Sequence, residues 1–113
     1  MKITTEKKAE ALVVHTEGRL DALTSGEFEK EVSALIQQPD QNVLFDLEKL
    51  DYISSAGLRS ILILAKEMKS KENMLALCGL NETIKEVFCI SGFDSIITIY
   101  PTIEEGLASM KGK

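Results

Sequence analysis

The sequence predicts an α/β fold in one domain over residues 1–113, a mixed sheet of four or five strands with about four packed helices. Three observations carry that expectation. Strand-like runs alternate with helical patterns of ten to fifteen residues, which implies βαβ units and a partly parallel sheet. Cap signals stand ahead of the apolar stripes. Apolar content of 44% and charged content of 27% are those of a globular chain. At 113 residues the chain buries roughly two-thirds of its unfolded surface in one core. No internal repeat, low-complexity tract or linker divides it.

In order, Ile3–Lys7 and Ala11–Thr16 read as a hairpin joined near Lys8-Ala9-Glu10, with Leu12, Val14 and Thr16 on one face and Val13 and His15 on the other. Thr24-x-x-Glu27 has capping-box spacing. It opens a helix whose Phe28, Val32, Leu35 and Ile36 recur at helical spacing and which Pro39-Asp40 closes. Asn42–Glu48 reads as a buried strand. A second helix carries the stripe Leu58, Ile61, Leu62, Ala65 and Met68 and ends near Lys71. Met74–Leu80 is the next strand. Asn81 caps a short helix that faces Ile84, Val87 and Phe88 inward and stops at Gly92. Ile96–Tyr100 is a last strand. Pro101-Thr102-Ile103-Glu104-Glu105 offers a second capping box, with Ile103, Leu107 and Met110 as the docking face.

Charge and composition exclude several functions. A net charge of −5 disfavours nucleic acid, whose phosphates need clustered Lys and Arg. The N-terminus lacks the apolar core of a signal peptide. The longest apolar run, Ile61–Ala65, is too short to span a bilayer. A cytoplasmic protein without membrane insertion is expected. Cys78 and Cys89 fall in apolar runs and are expected as buried free thiols. One histidine and two dispersed cysteines make no metal-site spacing. No Gly-rich phosphate loop occurs, so neither cofactor nor catalytic residue is assigned. His15, on an alternating strand, is expected to be exposed or half-buried rather than a general base.

The most informative stretch is Asp51-Tyr52-Ile53-Ser54-Ser55-Ala56-Gly57-Leu58-Arg59. Two hydroxyls ahead of Ala-Gly mark the start of a helix, where a serine oxygen caps free N–H groups. The same helix start favours anions, so a phosphate on such a serine is locally stabilised. Asp21 leaves the second strand and Asp46 ends the third. With those strands adjacent, both carboxylates are expected at the sheet edge that holds Ser55. Turn and cap chemistry is the plain alternative for both.

Gly18-Arg19-Leu20-Asp21, Val43-Leu44-Phe45-Asp46-Leu47 and Tyr52–Arg59 together resemble the STAS domain, in order and spacing, over nearly the whole chain. That family includes the bacterial anti-sigma factor antagonists. In those antagonists the serine directly before small-Gly-Leu is phosphorylated by a partner kinase, and the matching residue is Ser55. The family usually has Asp just before the acceptor. Here Ser54 stands there, and it supplies a second hydroxyl as the second choice of acceptor.

The resemblance implies partner switching. The unmodified protein binds an anti-sigma factor, a serine kinase of the histidine-kinase-like ATPase type. Phosphorylation by that kinase ends the binding, and a metal-dependent serine phosphatase restores it. Asp21, Asp46, Ser54, Ala56, Gly57, Leu58, Arg59 and Ser60 are the expected surroundings of the switch, with Arg59 and Ser60 as its exposed rim. Ile63 and Leu64, in a run apolar on more than one face, are further candidates for the partner surface. Two rivals are a non-phosphorylated STAS subunit of a membrane transport assembly and a small nucleotide-binding or enzymatic domain.

Overall fold

The computed structural model describes residues 1–38 and 40–111. In chain order the elements are β1 (Lys2–Lys7), β2 (Leu12–Leu20), α1 (Ser25–Leu35), β3 (Val43–Asp46), β4 (Leu50–Ile53), α2 (Ser55–Ser70), β5 (Leu75–Cys78), α3 (Glu82–Ile90), a 3₁₀ turn (Phe93–Ser95), β6 (Thr98–Tyr100) and α4 (Ile103–Met110). The strands form one six-stranded sheet in the order β1-β2-β3-β5-β6, with β4 also paired to β2. β1 and β2 are antiparallel and every other pair is parallel. The helices α1, α2 and α3 serve as the crossovers that parallel neighbours require.

The strand pleat sorts the core into two layers. Val43 and Phe45 point to one face of β3, where Phe28, Val32, Leu58, Ile61, Leu64, Met68, Ile84 and Phe88 of α1, α2 and α3 bury them. Leu44 points to the other face and packs with Ala76, Cys78 and Met110, against Ile103 and Leu107 of α4. Gly106 lets α4 sit on Leu44, since a Cβ there would stand 2.8 Å from both Leu44 methyls.

The sheet has six strands, not four or five. The extra strand is Leu50–Ile53, whose buried ends enclose the exposed pair Asp51 and Tyr52. β2 is correspondingly longer than expected because it serves two partners in succession. Its first half pairs with β3, from Leu12↔Val43 to His15↔Asp46, and its second half with β4, from Gly18↔Leu50 to Leu20↔Ile53. The register shifts between Gly18 and Arg19, where Gly18 has φ 96°, a conformation that favours glycine.

Thr24 does not form its capping box. It has φ −106° and ψ −17°, and its side chain caps nothing in α1. Its hydroxyl is spent backwards instead, accepting from the Asp21 N–H at 2.9 Å and donating to the Arg19 carbonyl at 2.9 Å. The other caps form as expected. Asn81 accepts from the Ile84 N–H at 2.8 Å and Thr102 from the Glu105 N–H at 3.1 Å. Pro39 lies outside the described residues, and α1 ends at Leu35. Cys78 and Cys89 are both free thiols, but Cys89 is exposed rather than buried, because it sits on the outer face of α3.

Candidate functional site: the start of helix α2

The site is built where β2 and β4 end side by side. Leu20 is paired with Ile53, and the Leu20 carbonyl accepts from the Ser54 N–H at 2.9 Å. The first turn of α2 then folds over that carbonyl. A Cβ on Gly57 would stand 2.6 Å from the Leu20 oxygen and 2.9 Å from both Leu20 Cγ and Ile53 Cγ1. Only glycine fits, and this links Gly18-Arg19-Leu20-Asp21 to Ser55-Ala56-Gly57-Leu58 physically.

The two serines divide the work. Ser54 is the N-cap: its backbone is extended and its hydroxyl oxygen accepts from the Gly57 N–H at 3.2 Å. Ser55 is the first residue of α2 and is exposed. Its hydroxyl stands at a helix start with unspent N–H groups and partial positive charge. The other three helices carry a glutamate in the first turn, whereas α2 has no acidic residue there. Ala56 is half-buried beside it.

The expected rim is half right. Arg59 is exposed, but Ser60 is only 4% exposed and donates to the Ser25 carbonyl at 3.3 Å, tying α2 to the start of α1. Leu58 and Gly57 are also buried. These three therefore shape the site from beneath. Leu64 is wholly buried, while Ile63 is 40% exposed, two turns beyond Ser55 on the same side as Arg59.

Asp21 is at this end of the sheet. Its carboxylate accepts from the N–H groups of Leu23 at 3.0 Å and Thr24 at 3.2 Å. Partial burial pushes its pKa up, but these donors, the Thr24 hydroxyl and the Arg19 charge together hold it below its usual value. Arg19 lies 3.7 Å from the same carboxylate and 4.2 Å above the Tyr52 ring, its neighbour across the β2–β4 pair. Leu23, at the tip of the Asp21 turn, is 92% exposed. Neither Leu23 nor Tyr52 was singled out by periodicity, because a turn tip and an outward strand position leave no apolar pattern.

Asp46 is not at this edge. It pairs with His15, five residues before Leu20, which sets it about 16 Å back along β2. There it lies 2.7 Å from His15 Nδ1 and accepts from the Glu48 N–H at 3.1 Å. His15, half-buried as expected, also faces Glu6 at 3.5 Å. Asp46 is thus part of a polar cluster joining β1, β2 and β3, away from Ser55. The cause is β4: it takes over the pairing to β2 and carries Ser55 beyond the end of β3.

No helix among the described residues is long and apolar enough to cross a membrane. The chain is 37% identical over 111 residues to BtrV of Bordetella bronchiseptica, named as a candidate anti-sigma factor antagonist, an alignment spanning 98% of this chain and 96% of that protein. In structure it is similar to a candidate anti-sigma factor antagonist of Thermotoga maritima, with a TM-score of 0.90, 22% identity and coverage of 96% and 94% of the two chains. It is also similar to the Bacillus cell fate determinant SpoIIAA in its phosphorylated form, with a TM-score of 0.73, 21% identity and coverage of 97% and 100%. The STAS domain pattern matches residues 2–106, which takes in both Gly18 of β2 and Gly57 at the start of α2, and the chain belongs to the STAS domain family.

Proposed function

We propose that this chain is an anti-sigma factor antagonist, and that phosphorylation of Ser55 ends its binding to an anti-sigma factor that is also a serine kinase. A metal-dependent serine phosphatase resets it. The observation that carries the reading is the division between the two serines: Ser54 is committed as the cap, while Ser55 is exposed at a helix start without acidic neighbours in its first turn. A hydroxyl so placed is open to a kinase and has no structural duty that modification would break. The name of the relative at 37% identity supports the antagonist reading. SpoIIAA, which has the same fold, exists in a phosphorylated form.

The physics of the switch is local. Phosphate adds about −1.5 to −2 charge and three acceptor oxygens. The dipole of α2 tolerates that charge, so the fold survives. A partner surface fitted to a neutral hydroxyl does not tolerate it. A penalty of about 3 kcal/mol weakens binding by roughly two powers of ten. Around Ser55, the exposed side chains of Leu23, Tyr52, Arg59 and Ile63 supply the apolar and cationic contacts of such a surface.

Mass mapping of the protein isolated from its own cells tests the reading. A phosphate on Ser55 in some fraction of the molecules is the expected result. Its absence under every growth condition would favour the unphosphorylated transport-assembly subunit. Phosphate on Ser54 alone would move the switch to the cap.

A further inference from the structure

We propose that Arg59 is the internal counter-ion of a phosphate on Ser55, so that modification withdraws this cation from the partner-facing surface. The inference rests on Ser55 being the acceptor. The two residues lie four apart within α2, so their side chains stand one turn apart on one stripe of the helix. Arg59 is exposed and takes part in none of the ion pairs among the described residues. The other arginine at this end is engaged already, stacked on Tyr52 and beside Asp21. Lys66 is eleven residues from Ser55 in α2, about 16 Å along the axis.

The charges at this end leave Arg59 for the phosphate. Asp21 is held by the Leu23 and Thr24 N–H groups, and Asp51 is exposed on β4 without a pairing to Arg59. A guanidinium presents a planar fork that takes two phosphate oxygens at once. Ser54 is five residues from Arg59, off the spacing at which helix side chains meet. A phosphate there lacks this partner. The modification of Ser55 therefore has two linked effects on the surface: an anion appears and an exposed cation is drawn away.

Phosphoserine introduced at position 55 of the full chain during translation allows a direct test. Phosphorus NMR follows the second ionisation of the phosphate in the otherwise wild-type protein, in Arg59→Gln and in Arg59→Lys, with circular dichroism confirming the fold of each. A nearby cation favours the dianion and lowers the midpoint. Arg59→Gln is expected to raise it by about 0.15–0.4 pH unit, the size of an i,i+4 ion pair, and Arg59→Lys to restore most of the shift. With phosphoserine at 54 instead, Arg59→Gln is expected to leave the midpoint in place. Equal midpoints for the wild-type and Arg59→Gln forms of the protein phosphorylated at 55 would overturn the pair. Absence of phosphate from Ser55 in cells would defeat the proposed function without altering this result, so the two failures are distinguishable.

Discussion

Gly57 rests on the backbone carbonyl of Leu20, with room for a hydrogen and none for a methyl: a Cβ there would lie 2.6 Å from the oxygen. The carbonyl cannot swing aside without losing its bond from the Ser54 N–H. This contact sets the angle at which α2 leaves β4, and with it the position of Ser55.

Gly57→Ala is therefore expected to destabilise the protein. Alanine favours a helix over glycine by about 1 kcal/mol, but overpacking against a fixed backbone costs typically 1–3 kcal/mol. The two nearby side chains, of Leu20 and Ile53, must also give way. Gly26→Ala in α1 is the matched control, because nothing lies within 4 Å of the added carbon. There the helix preference acts alone and a gain of up to about 1 kcal/mol is expected. Urea unfolding of both variants checks the contrast. A Gly57→Ala protein as stable as wild type would show that the turn has slack.

The serines separate in a stability measurement. Ser54→Ala removes the cap on Gly57 and is expected to cost about 1 kcal/mol, within a range of 0.5–2. Ser55→Ala touches an exposed hydroxyl and should stay within about 0.5 kcal/mol of wild type. Comparable losses in the two variants would mean that Ser55 also caps the helix.

Much of this was legible in the residues, and the exceptions have physical causes. The stripes Phe28-Val32-Ile36 and Leu58-Ile61-Met68 declared their helices because each faces the sheet on one side only. Asn81 and Thr102 capped as their positions promised. Leu50–Ile53 hid as a strand because its two ends are buried and its two middle residues, Asp51 and Tyr52, are both exposed, leaving no alternation to read. That omission displaced Asp46: without β4, the end of β3 looked like the edge that bears Ser55. Ser60 looked like rim because it is polar, yet its hydroxyl is satisfied internally by the Ser25 carbonyl, as a buried polar group requires. Thr24 had the spacing of a cap, but the Asp21 turn claimed its hydroxyl first.

Asp21 makes the stability at this edge depend on pH. Its carboxyl is held below the ordinary 3.8 in the folded state, so the unfolded chain binds the proton more readily. The stabilisation is present above about pH 4 and is lost as the pH falls through the folded-state value. Asp21→Asn is expected to melt below wild type at pH 7, and the gap should narrow progressively as the pH falls below about 4. A gap that widens on acidification would reverse the sign of the argument.

The two thiols should react very differently. Cys78 is wholly buried, and burial, reinforced by the carboxylates of Asp46, Glu104 and Glu48, pushes its pKa up to about 12. Cys89 is exposed, though a hydrogen bond to Asp94 also raises its pKa. The thiolate is the reactive form, so a thiol reagent is expected to modify one equivalent in the native protein, at Cys89. The second should appear only in denaturant. Fast modification of Cys78 in the native state would show that α4 lifts from the sheet.

The central claim is that charge on Ser55 decides partner binding, and a titration against the anti-sigma partner tests it most directly. Unmodified protein, Ser55→Ala and protein enzymatically phosphorylated on Ser55 are compared, each with a melting curve alongside. The expected result is tight binding by the first two and a loss of roughly a hundredfold, about 3 kcal/mol, for the third, with all three folded. Ser55→Glu, a partial mimic of the phosphate, should fall between them. Phosphorylated protein that binds as tightly as the unmodified form would contradict the account.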